Sequence, residues 1–182
     1  MKRYKLSLLF FFCFWATLQV SAQSKYADFA ESQKEKLFTD DFSSNRNSWL
    51  SGYGDDYTAK FENGYYTLDN NSSSAVKKTT KYVTINTSKD FEIEGNFKIV
   101  YAGSEGRLQS LIWGRSTEGT NYFGFTKAGD FRISKHEQGI GYTAYQDFTT
   151  STYLHAYSYN KMTIRKVGST MYFFINENLV HS

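Results

Sequence analysis

Asp90, Glu92 and Glu94 place carboxylates at alternate positions of one stretch, so an extended backbone puts all three on the same face. Retaining hydrolysis of a glycosidic bond uses two carboxyls about 5–5.5 Å apart, a separation that neighbours on one strand face approach. The competing reading is a solvated acidic row with no chemistry. Asp40, Asp41, Asp55, Asp56, Asp69 and Asn70 offer the hard oxygen ligands that calcium takes, but no loop has the spacing of a calcium motif. His136, His155 and His181 lie far apart and form no pair of the kind zinc requires. The chain has no serine-nucleophile motif and no phosphate-cradling glycine loop. No cofactor is expected beyond a structural calcium on those oxygens.

The second chemistry the sequence offers is ring stacking. If Phe123, Phe125, Phe131 and Ile133 point inward, then Tyr122, Arg132, Ser134 and His136 face out on the same sheet. On a later hairpin Met171, Phe173 and Ile175 point inward, leaving Tyr172 and Phe174 on the opposite face. Leu111 and Trp113 share one face and Ile112 takes the other; either face is compatible with burial. Exposed aromatic rings with a few polar neighbours are surfaces on which sugars stack, and tyrosine adds a hydroxyl. The candidate ligand-binding set is therefore Trp113, Tyr122, Arg132 and His136. The alternative is that these rings fill a second layer, cover loops or pack on a partner domain.

These residues must be positioned by strands. Phe91–Tyr101 alternates apolar and polar residues, with Gly95 in the apolar row marking a bend, a bulge or a close approach of another strand. Gln109–Arg115 reads as a second strand, and Tyr122–Thr126 with Phe131–Lys135 as a hairpin around Lys127-Ala128-Gly129-Asp130. Earlier, Leu37–Phe42 reads as a strand. Tyr57–Glu62 and Tyr65–Asp69 flank Asn63-Gly64, the preferred two-residue hairpin turn. Lys81–Ile85 is a further strand. Gly139–Asn160 holds one strand and a crossing loop, Met162–Val167 and Thr170–Ile175 form a last hairpin, and Leu179-Val180 begins another strand. Short strands with turn signals between them predict an all-β chain and, at this length, a two-sheet antiparallel β-sandwich.

Lys2, Arg3 and Lys5 precede an apolar run from Leu6 to Val20, and Val20-Ser21-Ala22 fits a cleavage site, so residues 1–22 read as a secretory signal peptide. The run is 15 residues long, short of the roughly 20 a membrane-spanning helix needs. Its removal takes three of the 21 basic residues, leaving 18 against 18 acidic ones. A neutral domain gives no electrostatic case for nucleic acid or an anionic membrane surface. The single cysteine, Cys13, leaves with the signal, so disulfides and thiol chemistry are excluded. Residues 23–36 read as a polar leader or linker, and 37–182 as the domain.

Four stretches carry a resemblance: LFTDDFSSNRNSW at Leu37–Trp49, DFEIEGNFKIVY at Asp90–Tyr101, LIWG with NYFGF at Leu111–Phe125, and NKMTIRKVGSTMYFFINENLV at Asn160–Val180. Together they resemble the concanavalin A-like jelly-roll superfamily, and within it laminin G-like modules and the bacterial 3-keto-disaccharide hydrolase-type domain. The resemblance implies a jelly roll that lacks its last strands, because such domains close with two more after the position of Val180. It also implies a structural calcium near the first strand in some members. The laminarinase-like signature runs Glu, apolar, Asp, apolar, apolar, Glu, and Phe91–Phe97 does not reproduce it.

The reading that follows is a secreted, extracellular or periplasmic, non-catalytic carbohydrate-binding or adhesion module. Its partner would be a glycan or a protein, with no membrane span after signal cleavage. The alternatives are a glycoside-active hydrolase of the 3-keto-disaccharide type and a protein-interaction domain of a larger secreted protein. Cleavage is expected after Ala22, and intact-mass measurement of the exported protein should find a chain that starts at Gln23.

Overall fold

A computed structural model describes residues 29–72, 77–104 and 106–182. The stretch read above as a signal peptide, and the first part of the expected leader, lie outside the described residues. The described residues are all-β apart from a single 3-10 turn at Glu31–Gln33, and every strand pair among them is antiparallel. Strands β1 (Gly52–Gly54), β2 (Tyr57–Glu62) and β3 (Tyr65–Asn70) form a small sheet in that order. Strand β4 (Phe91–Phe97) joins β9 (Asn160–Val167), β10 (Thr170–Ile175) and β11 (Asn178–His181) in the order β11-β10-β9-β4. Strands β5 (Gln109–Trp113), β6 (Gly119–Phe125), β7 (Asp130–Glu137) and β8 (Gly141–Thr150) pair in sequence order. Sequence predicted two sheets; the structure has a third, because the Asn63-Gly64 hairpin pairs only with β1.

The two four-stranded sheets meet in one apolar layer. Phe123, Phe125, Phe131 and Ile133 come from one sheet, Met162, Ile164, Phe173 and Ile175 from the other, and Ile99 fills in from the loop after β4. The Phe173 ring lies 5.3 Å from Phe123 and 5.6 Å from Trp113, which makes it the main aromatic link across the sandwich. The alternation expected in β6, β7 and β10 is the alternation observed. Asn63 and Gly64 both take positive φ, 54° and 75°, as a type I′ turn requires. A methyl group at Gly95 would meet the Phe97 ring of the same strand at 2.8 Å, so the close neighbour is a side chain of β4 itself and not another strand.

Two expected strands do not form. In Leu37–Phe42 the Asp40 carboxylate accepts hydrogen bonds from the Phe42 N–H (2.8 Å), the Trp49 indole (2.6 Å) and Asn47 (2.7 Å). This local turn, with Phe42 at a φ of 54°, competes with a strand ladder and wins. Burial raises the Asp40 pKa, but the hydrogen bonds from Asn47, Trp49 and the Phe42 N–H more than offset it, so the carboxyl stays below its ordinary value. The segment instead builds a satellite aromatic cluster in which Trp49 meets Phe38, Phe42 and Tyr66 at 5.8–6.3 Å. Lys81–Ile85 has no ladder partner among the described residues, and Lys81 is drawn to the Ser48 carbonyl and over the Trp49 ring. The long strand predicted to reach Tyr101 stops at Phe97, whose partner Asn160 is the first residue of β9. Beyond it Ile99 turns into the core, while Val100 and Tyr101 project into solvent.

Phe173→Ala should cost about 3–5 kcal/mol, the range for deleting a buried ring. Chemical denaturation should show a lower midpoint with an unchanged slope.

Candidate functional site

The register of the second sheet settles where the predicted site residues stand. Across β6, β7 and β8 one row holds Thr120, His136 and Tyr142, the next Tyr122, Ser134 and Ala144, and a third Gly124 and Arg132. All of these point away from the core. His136 and Tyr142 meet edge to face with centroids 4.6 Å apart, and the Tyr142 ring lies 5.8 Å from Tyr122. Tyr142 is 54% exposed. A flat ring with a hydroxyl is thus presented to solvent beside an imidazole.

The sequence-derived set is only partly assembled. Tyr122 is on the expected face but is not an exposed platform; it is 7% exposed. Lys78 covers it, with the ammonium 5.3 Å from the ring centre and donating a 2.8 Å hydrogen bond to the phenol oxygen. Trp113 is not on this face at all: it packs against the core, next to Phe173. The open question about Leu111 and Trp113 is resolved inward for both. Arg132 shares the outer face but stands four residues from His136, roughly 13 Å along an extended strand. Its guanidinium covers the Phe148 ring at 5.1 Å. Its buried Nε lies 3.3 Å from the Asp147 carboxylate without the alignment of a hydrogen bond.

Sequence reasoning missed Tyr142 because it lay in the aromatic-rich Gly139–Asn160 segment, where no alternation was assigned. The signal was present: Tyr142 and Ala144 stand two apart, and β8 pairs them with the outward His136 and Ser134. A shift in register between Ile133 and Ser134 then breaks the period and hides the strand's other half.

The carboxylates of β4 lie on the outer face of the other sheet. Glu92 accepts a 2.6 Å hydrogen bond from Arg165 and one of 3.0 Å from Lys34, and its side chain is largely shielded. Burial pushes the Glu92 pKa up, but the hydrogen bonds from Arg165 and Lys34 outweigh it and hold the carboxyl below its ordinary value. Glu94 pairs with Lys161 at 2.7 Å, and Lys161 also reaches Glu177 at 2.8 Å. Burial lowers the Lys161 pKa, yet its bonds to Glu177 and Glu94 raise it on balance. Glu92 and Glu94 are therefore held in ion pairs, Glu92 shielded and Glu94 exposed, while the exposed Asp90 accepts a 2.8 Å hydrogen bond from the Gly168 N–H. A general acid of a glycosidase needs a raised pKa, the reverse of what holds at Glu92. Tyr172 and Phe174 share this outer face and are buried on it, Phe174 beneath the Arg165 guanidinium at 5.0 Å.

Among the described residues no group of His, Cys, Asp and Glu side chains could hold a metal ion. Asp40 turns its oxygens to Asn47, Trp49 and Phe42, and Asp56 pairs with Lys77. No described helix is long and apolar enough to cross a membrane. Compared with known proteins, the chain matches no family model, no curated protein and no solved structure.

Because the Glu92 carboxyl is held below its unfolded value, its ion pairs stabilise the protein above that value. This contribution is lost as pH falls through the lower, folded pKa. Glu92→Gln should lower stability by about 1–3 kcal/mol at neutral pH. The gap between variant and wild type should close in acid, as read by denaturation at a series of pH values.

Proposed function

We propose that this protein is a secreted, non-catalytic carbohydrate-binding module whose ligand lies across the outer face of β6, β7 and β8. The observation that carries the reading is Tyr142, half exposed and flanked by the His136 imidazole at 4.6 Å. The supporting frame is an antiparallel sandwich, the architecture on which the lectin-like resemblance of the sequence rests. A sugar ring stacks on the tyrosine face, and His136 donates or accepts a hydrogen bond at a hydroxyl. Lys78, fixed by the Tyr122 hydroxyl, stands on the same face as a further donor. Tyr142 is 54% exposed and lines neither the concavity of about 300 Å³ beside Phe131 nor that of about 470 Å³ beside Glu92, which fits an open platform.

Open platforms for hydrated ligands bind weakly, at about 10 μM to 1 mM, or roughly 4–7 kcal/mol. The carboxylate pair favours the binding reading over the hydrolase one, since Glu92 and Glu94 are each neutralised by a cation. On an array of neutral oligosaccharides, Tyr142→Ala should weaken binding about tenfold, close to 1.4 kcal/mol, and Glu92→Gln should leave it unchanged. Turnover of a disaccharide that Glu92→Gln or Glu94→Gln abolishes would instead establish the hydrolase. Absence of any neutral-sugar binding at millimolar concentration would remove the Tyr142 platform from consideration.

A further inference from the structure

One end of the sandwich gathers tyrosines and lysines from four separate segments. Tyr65 opens β3, Lys98 follows β4, Lys127 lies in the β6–β7 turn, and Tyr157 and Tyr159 lie in the β8–β9 connection. Strand pairing sets the lysines beside the β8–β9 connection, and Tyr65 joins from the small sheet through its ring contact with Tyr159. The Phe97–Asn160 pair sets Lys98 beside Tyr159, and the Ser151 N–H donates to the Gly129 carbonyl at 2.9 Å, tying the connection to the turn. The Tyr65 and Tyr159 rings are nearly parallel, 16° apart in plane with centroids at 5.6 Å. The Lys98 ammonium lies 5.8 Å from the Tyr159 ring centre, and that of Lys127 lies 5.1 Å from Tyr157.

The charges on this rim are available. Lys34, Lys60, Lys77, Lys135 and Lys161 each pair with a carboxylate. Lys98 and Lys127 rest on tyrosine faces instead, with no carboxylate within ion-pair distance among the described residues. A ring quadrupole orients an ammonium without cancelling its charge. The rings are accessible too, Tyr157 at 70% and Tyr65 at 51%. The connection is pre-shaped by Asn160, which is 1% exposed. Its amide accepts from the His155 N–H at 2.8 Å and donates to the carbonyls of His155 at 2.9 Å and Ser158 at 3.2 Å. A loop ordered before its ligand arrives does not lose that freedom on binding.

We propose that this rim is a second binding site, for an acidic glycan. Its sugar rings lie against Tyr65, Tyr157 and Tyr159, and its carboxylate or sulfate groups pair with Lys98 and Lys127. The site is distinct from the Tyr142 platform, shares no residue with it and does not depend on it. Two lysines favour a glycan over an anionic bilayer, because recognition of acidic membranes uses clusters of about 4–8 basic residues.

Calorimetry with oligogalacturonate and with a sulfated oligosaccharide tests the assignment and separates the two anionic groups. Wild type should bind at least one of them, more weakly as salt is raised. The double variant Lys98→Gln/Lys127→Gln should lose about tenfold in affinity and most of the salt dependence, with an unchanged near-ultraviolet dichroism spectrum. Tyr157→Ala should weaken the same ligand at all salt concentrations. Tyr142→Ala should leave acidic-glycan binding intact, so failure of the neutral-sugar platform and failure of the rim are separable. No binding of either anionic oligosaccharide at millimolar concentration overturns the proposal, as does binding that the double variant retains. Lysine-dependent binding to equimolar phosphatidylglycerol–phosphatidylcholine vesicles, without oligosaccharide binding, overturns it in favour of a lipid surface.

Discussion

The contact of Phe173 with Phe123 and Trp113 joins the two four-stranded sheets, and the remaining architecture is arranged to make it possible. For Phe173 to face inward, Tyr172 and Phe174 must face outward, and for Phe123 to do so Tyr122 must turn away. Each inward aromatic thus creates an outward neighbour that needs its own environment. On one sheet Phe174 is covered by Arg165, which is itself fixed by Glu92; on the other, Tyr122 is covered by Lys78. The basic side chains are used largely as lids over aromatic faces, their stems providing apolar cover and their heads reaching polar partners.

Much of this was legible from the chain. Period-two alternation in β6, β7 and β10 fixed which rings enter the core, and the Asn63-Gly64 turn placed its hairpin without ambiguity. What alternation cannot show is whether an outward residue meets water. Tyr122 and Phe174 are outward and buried, Tyr122 beneath Lys78 from a segment remote in sequence and Phe174 beneath Arg165 of the neighbouring strand. Leu37–Phe42 has the composition of a strand but also Asp40 beside a ready indole donor nine residues on, and the side-chain bond prevailed. Trp113 could be assigned to neither face until its partner strand was known, since its register with Asn121 determines its direction.

The two outer faces of the sandwich differ in chemical character. The β4–β9 side is a lattice of alternating charge, with Lys34 and Arg165 on Glu92 and Lys161 shared by Glu94 and Glu177. The β7–β8 side and the adjoining loop end carry tyrosines, with cations set over rings. A charge lattice satisfies itself and has little left to offer a ligand, whereas the tyrosine surface leaves Tyr142 and Tyr157 largely exposed even where cations cover other rings. This contrast directs attention to the aromatic side for recognition.

Asn160 gives that side a property the charged face lacks. The connection carrying Tyr157 and Tyr159 is pinned by a carboxamide, which neither gains nor loses a proton and is not screened by salt. The shape of the loop is therefore insulated from changes in pH and ionic strength. Changes in salinity act on the attraction exerted by the neighbouring lysines while the tyrosine geometry stays fixed.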